Sequence, residues 1–275
     1  MKYLLSLIVL CGAFVPGFAQ KDSTKTSSLT LAAIYGNTAN YYGQSTDEKL
    51  PYMLSYAGYR LKSGFYISAS ALKLLNYGNG ISAVDLSGGF NFDLSENLEA
   101  DLGYTRSFYE KNSPLLQTAN ENTLSGLLNY DFNVFKTGLS ADYVFGNQSD
   151  VFLSLNSSKL IDLGSISDKD YISLEPSVSV IGGSSRYYET YTVERKRRQG
   201  LLDPLFPKPQ PQTETTIVET SSFDIMSYGL TLPLAYNRAN YSLEASYQAS
   251  FLGKKFSEGS NKPRSFFNLS VYYQF

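Results

Sequence analysis

Glu99 and Asp101 stand two residues apart in the stretch LEADLGYTRSF, and such paired carboxylates are among the few arrangements in this chain that could do chemistry. Two carboxyl groups flanking a glycosidic bond can act as acid and as base or nucleophile. The same spacing has a plainer origin, since alternate residues of a β-strand share one face. Composition removes most other chemistry. There is no His, so a Ser or Cys nucleophile has no imidazole base, and the one Cys, Cys11, lies within the first twenty residues. The rest of the chain therefore lacks the usual zinc ligands, and it carries no Gly-rich phosphate loop or nucleic-acid module. No complete catalytic constellation can be assembled, and an enzyme is not expected.

The acidic pair belongs to a larger set. Asp85, Glu99, Asp101, Asp142, Glu175 and Glu244, with Lys136, fall on the small and polar side of alternating segments whose other side is apolar. Lining a lumen, these carboxylates would attract cations by Coulomb's law. They would equally serve to hydrogen-bond Tyr, Ser and Lys across a plugged interior. The residues alone leave both readings open.

What positions them is a run of segments of about ten residues alternating at period two. Twelve are recognisable, near 27 to 36, 51 to 61, 64 to 73, 81 to 93, 97 to 108, 122 to 132, 135 to 145, 150 to 161, 169 to 182, 223 to 236, 240 to 252 and 265 to 275. In NYSLEASYQASFL, Tyr241, Leu243, Ala245, Tyr247, Ala249 and Phe251 share one face while Ser242, Glu244, Ser246, Gln248 and Ser250 share the other. No helical period fits it. The last segment closes the same way, with Phe267, Leu269, Val271, Tyr273 and Phe275 on one side. An aromatic share of 15%, from 23 Tyr and 17 Phe, suits strands. After residue 20 no apolar run approaches the roughly 18 residues of a spanning helix.

The first 19 residues read as a signal peptide: Lys2, an apolar stretch from Tyr3 to Phe14, and Gly17 and Ala19 before the cleavage point. Residues 20–275 form the mature domain. Lipidation at Cys11 is disfavoured by the bulky Leu10 before it. Without Lys2 the balance is 22 basic against 25 acidic residues, too near neutrality for a nucleic-acid binder.

Connections alternate in length. Short ones lie at LKSG, DLSEN, NVF and NRAN, and longer ones at 37 to 50, 109 to 121, 183 to 222 and 253 to 264. Short turns on one side and long loops on the other are the habit of outer-membrane barrels. With the alternation and the Val271, Tyr273, Phe275 ending, the mature chain resembles the bacterial outer-membrane β-barrels, porin-like in architecture. The resemblance implies an all-β fold, a transmembrane antiparallel β-barrel of about 12 strands set in outer-membrane lipid, monomeric or weakly oligomeric, with both termini in the periplasm. It also implies that Val271, Tyr273 and Phe275 resemble the signal read by the barrel-assembly machinery. Twelve-stranded members include a phospholipase with a Ser and His pair, and this chain has no His to match it.

The loop from 183 to 222 stands apart. YETYTVE and TETTIVE both alternate and would pair as a long extracellular hairpin, capped by a segment holding Pro204, Pro207, Pro209 and Pro211. Arg195, Lys196, Arg197 and Arg198 form the one basic run. It would either dock an anion such as lipopolysaccharide phosphate, an acidic polysaccharide or a partner protein, or be a solvated flank. Pro176 and Pro233 sit inside strand patterns, where each costs a ladder bond, and mark bulges or bends. No cofactor is expected. The functional expectation is a passive, cation-preferring pore for small solutes; a non-conducting surface-binding or envelope-structural barrel is the alternative.

Overall fold

The computed structural model describes residues 26–45, 48–110, 121–146, 149–184, 223–254 and 262–275. The strands are β1 (Ser28–Gly36), β2 (Tyr52–Arg60), β3 (Phe65–Leu74), β4 (Ala83–Ser95), β5 (Leu98–Tyr109), β6 (Asn122–Asp131) and β7 (Lys136–Phe145). They continue with β8 (Ser149–Ser158), β9 (Ile161–Gly164), β10 (Asp170–Leu174), β11 (Ser177–Ser184), β12 (Phe223–Arg238), β13 (Tyr241–Leu252) and β14 (Arg264–Gln274). No helix occurs among the described residues.

β1 to β8 pair in succession, β8 pairs with β11, and β11 to β14 continue the ladder until β14 returns to β1, so 12 antiparallel strands close a ring. The closing seam runs from Thr30 opposite Gln274 to Gly36 opposite Asn268. A hydrogen bond from the Phe275 amide to the Leu29 carbonyl, 2.9 Å, adds to it. Closure gives the ring's backbone groups partners within the wall, as hydrocarbon requires.

The two remaining strands continue two members of the ring. β10 pairs with Leu234–Arg238 of β12, and β9 pairs with β10 alone. The segments expected at 150 to 161 and 169 to 182 are thus each one strand with a break in it. Pro176 explains the break, because it has no N–H to give the ladder. Around it the Glu175 amide donates to the Pro233 carbonyl at 3.2 Å, and the Lys159 amide to the Pro176 carbonyl at 3.1 Å. Both prolines flagged in the sequence meet at this one irregularity.

Alternation dresses the ring in apolar side chains. Leu102, Leu269 and Phe275 are each more than half exposed, with Leu31, Leu86, Leu139, Val178 and Leu243 alongside. Aromatic rings gather toward both ends of this coat. Phe132 stacks on Phe135 at 4.7 Å and Tyr273 meets Phe275 at 4.6 Å at the short-turn end; Tyr247 meets Phe267 at 4.9 Å toward the other. Aromatic rings at both margins of an apolar band match the two interfaces of a bilayer. Arg106 is a charge on the outer face. It is engaged by Glu121 and by Asn122 at 2.8 Å, and it lies 5.7 Å from the centre of the Phe108 ring.

The buried apolar core is inside the ring at the long-loop end. Ala39, Tyr41, Leu50, Tyr52, Leu72, Leu74, Ala83, Val144, Phe152 and Met226 pack together there. Ala39, Tyr41 and Leu50 belong to the β1–β2 connection, so this core is partly made by a loop.

Candidate functional site

The inward face divides into two regions along the strands. Toward the short turns it carries Asn, Asp, Glu, Ser and Gly, and its tyrosines lie flat against the wall. A Cβ added at Gly89 or Gly103 would collide with the Tyr66 hydroxyl, so the ring occupies space that only glycine leaves free. From there the Tyr66 hydroxyl donates to Asp101 Oδ1 at 2.9 Å, two strands away. Arg60 donates to Asn91 Oδ1 at 2.7 Å, and Asn91 Nδ2 donates to Glu99 Oε1. Tyrosines laid along the wall do not span the lumen.

The acidic residues expected to share this wall are distributed differently from one another. Glu99 and Asp101 form one group with Tyr66, Asn91 and Arg60. Glu175 accepts a hydrogen bond from Ser158 at 2.8 Å beside the strand break. Glu244 of β13 lies opposite Ala235 of β12. Asp85 is buried and accepts from Ser70 at 3.0 Å. Lys136 begins β7 at the rim, 3.9 Å from Asp131. Asp142 is held by a loop, described next. Arg195, Lys196, Arg197 and Arg198, the long hairpin and the 1–19 leader lie outside the described residues.

The β1–β2 connection was expected only as one of the longer loops, and it folds into the ring. It is anchored where it leaves β1: the Asn37 amide donates to the Phe267 carbonyl at 3.0 Å, and Asn37 Oδ1 accepts from the Phe267 amide at 2.8 Å. Further in, Ala39 N donates to Leu50 O at 2.9 Å and Leu50 N to Thr38 Oγ1 at 3.0 Å. Tyr41 and Gln44 then exchange backbone bonds of 2.8 and 2.9 Å around Tyr42 and Gly43, whose φ angles are +48° and +84°. Two central residues of positive φ are what a tight primed turn demands.

The tip of this turn reaches distant strands. The Tyr42 hydroxyl donates to Asp142 Oδ2 at 2.8 Å, 100 residues away on β7. Its ring stacks on Phe152 of β8 at 4.0 Å, and Tyr41 meets the same ring edge-on at 5.5 Å. Ser227 Oγ of β12 donates to the Tyr42 carbonyl at 2.8 Å. A Cβ on Gly43 would collide with Ser227 Oγ and would fall 2.5 Å from Ser250 Oγ of β13. Residues 37–45, NTANYYGQS, thus run inside the lumen from one side to the other. Their sequence signal is the absence of charge and the adjacent tyrosines before a glycine, against the charged DEK that follows.

At the rim beyond the ring, Asp170 accepts from Ser167 Oγ at 2.6 Å, from the Ile166 and Ser167 amides, and from Tyr236 at 3.1 Å. These bonds, that from the Ser167 hydroxyl first, hold its carboxyl down at about 2. It braces the β9–β10 turn. Among the described residues no group of three or more His, Cys, Asp or Glu is placed to hold a metal.

No protein-family model matches the sequence, and no curated protein matches it either. Solved structures do match. The chain is similar to the KdgM porin with 8% identity and a TM-score of 0.51, over 90% of this chain and 99% of that one. It also aligns with the COG4313 outer membrane channel from Pseudomonas putida F1 (10% identity, TM-score 0.47, 94% and 98% covered) and with the NanC porin (8%, 0.46, 89% and 98%). At such identities the likeness is one of fold. A closed antiparallel ring wearing an apolar coat with aromatic margins satisfies its backbone and its surface together in a bilayer, and the chain is by its fold an outer-membrane β-barrel.

Proposed function

We propose that this barrel is a passive pore for small solutes, with a polar, acid-bearing wall through the short-turn half and a narrow part made by residues 37–45. The observation that carries this reading is the wall itself. Tyr66 lies flat over Gly89 and Gly103, and the carboxylates Glu99, Asp101, Glu175 and Glu244 stand among small polar residues. Carboxylates on a low-dielectric wall act over a screening length of about 10 Å at roughly 0.1 M salt, so cations are favoured, and more so in dilute salt.

The decisive experiment is conductance of the folded protein in a planar bilayer, with reversal potentials in a salt gradient. A cation-selective current is expected, and Glu99→Gln, Asp101→Asn and Glu244→Gln together should reduce the preference while leaving the barrel folded. A full preference in the triple variant would remove these residues from the selective wall. A folded protein without any current would reject the pore.

A second reading has its own support in the filled long-loop half, where Leu74 and Met226 have no exposed surface at all. In it the barrel is a non-conducting scaffold that docks a partner protein or polysaccharide through the 183–222 loop and Arg195, Lys196, Arg197 and Arg198. Loss of surface binding on neutralising those four residues, in a protein that carries no current, is the outcome that favours it.

A further inference from the structure

We infer that residues 37–45 are a movable strap, and that whether they sit on Ser227, Ser250 and Asp142 sets the open cross-section of the lumen. This rests on the pore reading above and adds its regulation. Among the described residues the strap's tip makes no ladder bonds with the wall; its contacts there include the Tyr42–Asp142 side-chain bond, the bond from the Ser227 hydroxyl to the Tyr42 carbonyl and the rings on Phe152. Its anchor at Asn37, in contrast, is bonded to the β14 backbone. One end is therefore fixed and the other is releasable.

The seated state also carries costs that release would relieve. Tyr42 holds a positive φ of 48°, unusual for a residue with a bulky side chain. Gln44 Nε2 and Ser250 Oγ are both buried there without a hydrogen-bond partner among the described residues, and water in an open lumen would satisfy each. Favourable ring packing set against a strained turn and two unsatisfied polar atoms is the balance from which two-state elements are built. Gly43 is the point of control. Its absent side chain lets the tip settle between Ser227 and Ser250, and any Cβ at that position collides with both hydroxyls.

The geometry supplies its own test. A Cβ on Gly43 would lie 2.8 Å from Ser227 Cβ. A disulfide needs about 3.5–4.5 Å between these atoms, so a small shift admits a bond in the double variant Gly43→Cys, Ser227→Cys. The mature chain has no other Cys. Oxidised, this variant keeps the strap seated; reduced, the collision lifts it, and unit conductance should rise roughly twofold or more as the full bore of a twelve-strand ring is uncovered. Gly43→Ala, which leaves every wall residue in place, should exceed the wild-type conductance without redox chemistry. A third variant replaces residues 39–45 by a short Gly-Ser link and shows whether the bore conducts at all.

Each result decides something. If the disulfide forms by mass and conductance is equal before and after reduction, the strap does not move. If the disulfide fails to form in folded protein and Gly43→Ala conducts no more than the wild type, the tip holds no releasable seat there and the inference falls. Current through the strapless barrel with either of those results overturns the strap alone, whereas no current through the strapless barrel overturns the strap and the pore together.

Discussion

Replacing Phe152 by Ala should detach the inner loop while sparing the wall that carries it. The Phe152 side chain is 1% exposed, and its ring lies over Gly183, where an added Cβ would come within 2.5 Å of it. Tyr42 stacks on it at 4.0 Å and Tyr41 meets it at 5.5 Å. A buried Phe→Ala change costs about 3–5 kcal/mol. Two aromatic pairs at about 0.5–1.5 kcal/mol each account for roughly 1–3 kcal/mol of that. The backbone is untouched, since residue 152 still pairs with Asp142 and Gly183 in the ladder. Reversible urea unfolding in lipid vesicles measures the loss, and heat-modifiable migration checks that the ring still closes. Phe152→Leu, which keeps most of the volume and loses both ring pairs, should fall between wild type and Ala. A loss for Phe152→Ala below about 1 kcal/mol is smaller than a buried phenyl ring gives up even where its surroundings collapse, and it would refute the packed loop. Equal losses for Leu and Ala would refute the share given to the ring pairs.

Other perturbations test separate parts of the molecule. In a double-mutant cycle, Tyr42→Phe and Asp142→Asn should show a coupling of about 0.5–1.5 kcal/mol by the same unfolding assay, and additive effects would mean the bond contributes nothing. Gly64→Ala should destabilise by more than about 1 kcal/mol, because φ there is +94° and the new Cβ would run into the Asn91 carbonyl oxygen; an unchanged midpoint would contradict that turn. Removing Phe275, or changing it to Ser, should lower the membrane-inserted fraction seen on gels, while unchanged insertion would deny the terminal residue an assembly role. Asp170 is held below its ordinary 3.8, so its contribution is complete above that value and is lost as pH falls toward about 2. Asp170→Asn should therefore flatten the acid limb of stability in that window, and an unaltered limb would remove Asp170 from it.

The wall of the barrel can be read from the chain alone. Period-two alternation in segments such as 240 to 252 puts apolar and polar residues on opposite faces of a strand, and β13 runs Tyr241–Leu252 with Leu243, Ala245 and Phe251 outward and Glu244, Ser246 and Ser250 inward. The short turns and the aromatic ending are legible for the same reason, since each rests on a local rule about side-chain direction or backbone φ; Pro176 reads only as a bulge or bend, and that it parts β10 from β11 is decided by the fold. Even the face of Asp85, Glu99 and Asp101 follows from parity.

How the interior is filled depends on the closed ring. Parity puts a residue inside it but does not say what it meets there. Asp142 looks like Glu99 in sequence, yet it receives the hydroxyl of Tyr42 from 100 residues away, while Lys136 ends at the rim beside Asp131. The loop at 37–45 has no periodicity to read, and its direction is set by partners on β7, β8, β12 and β13 that become neighbours only once the ring has closed. Closure brings Tyr42 to Phe152 and Gly43 to Ser227 across the lumen. That non-local contact is the physical reason the wall is legible in the chain and its contents are not.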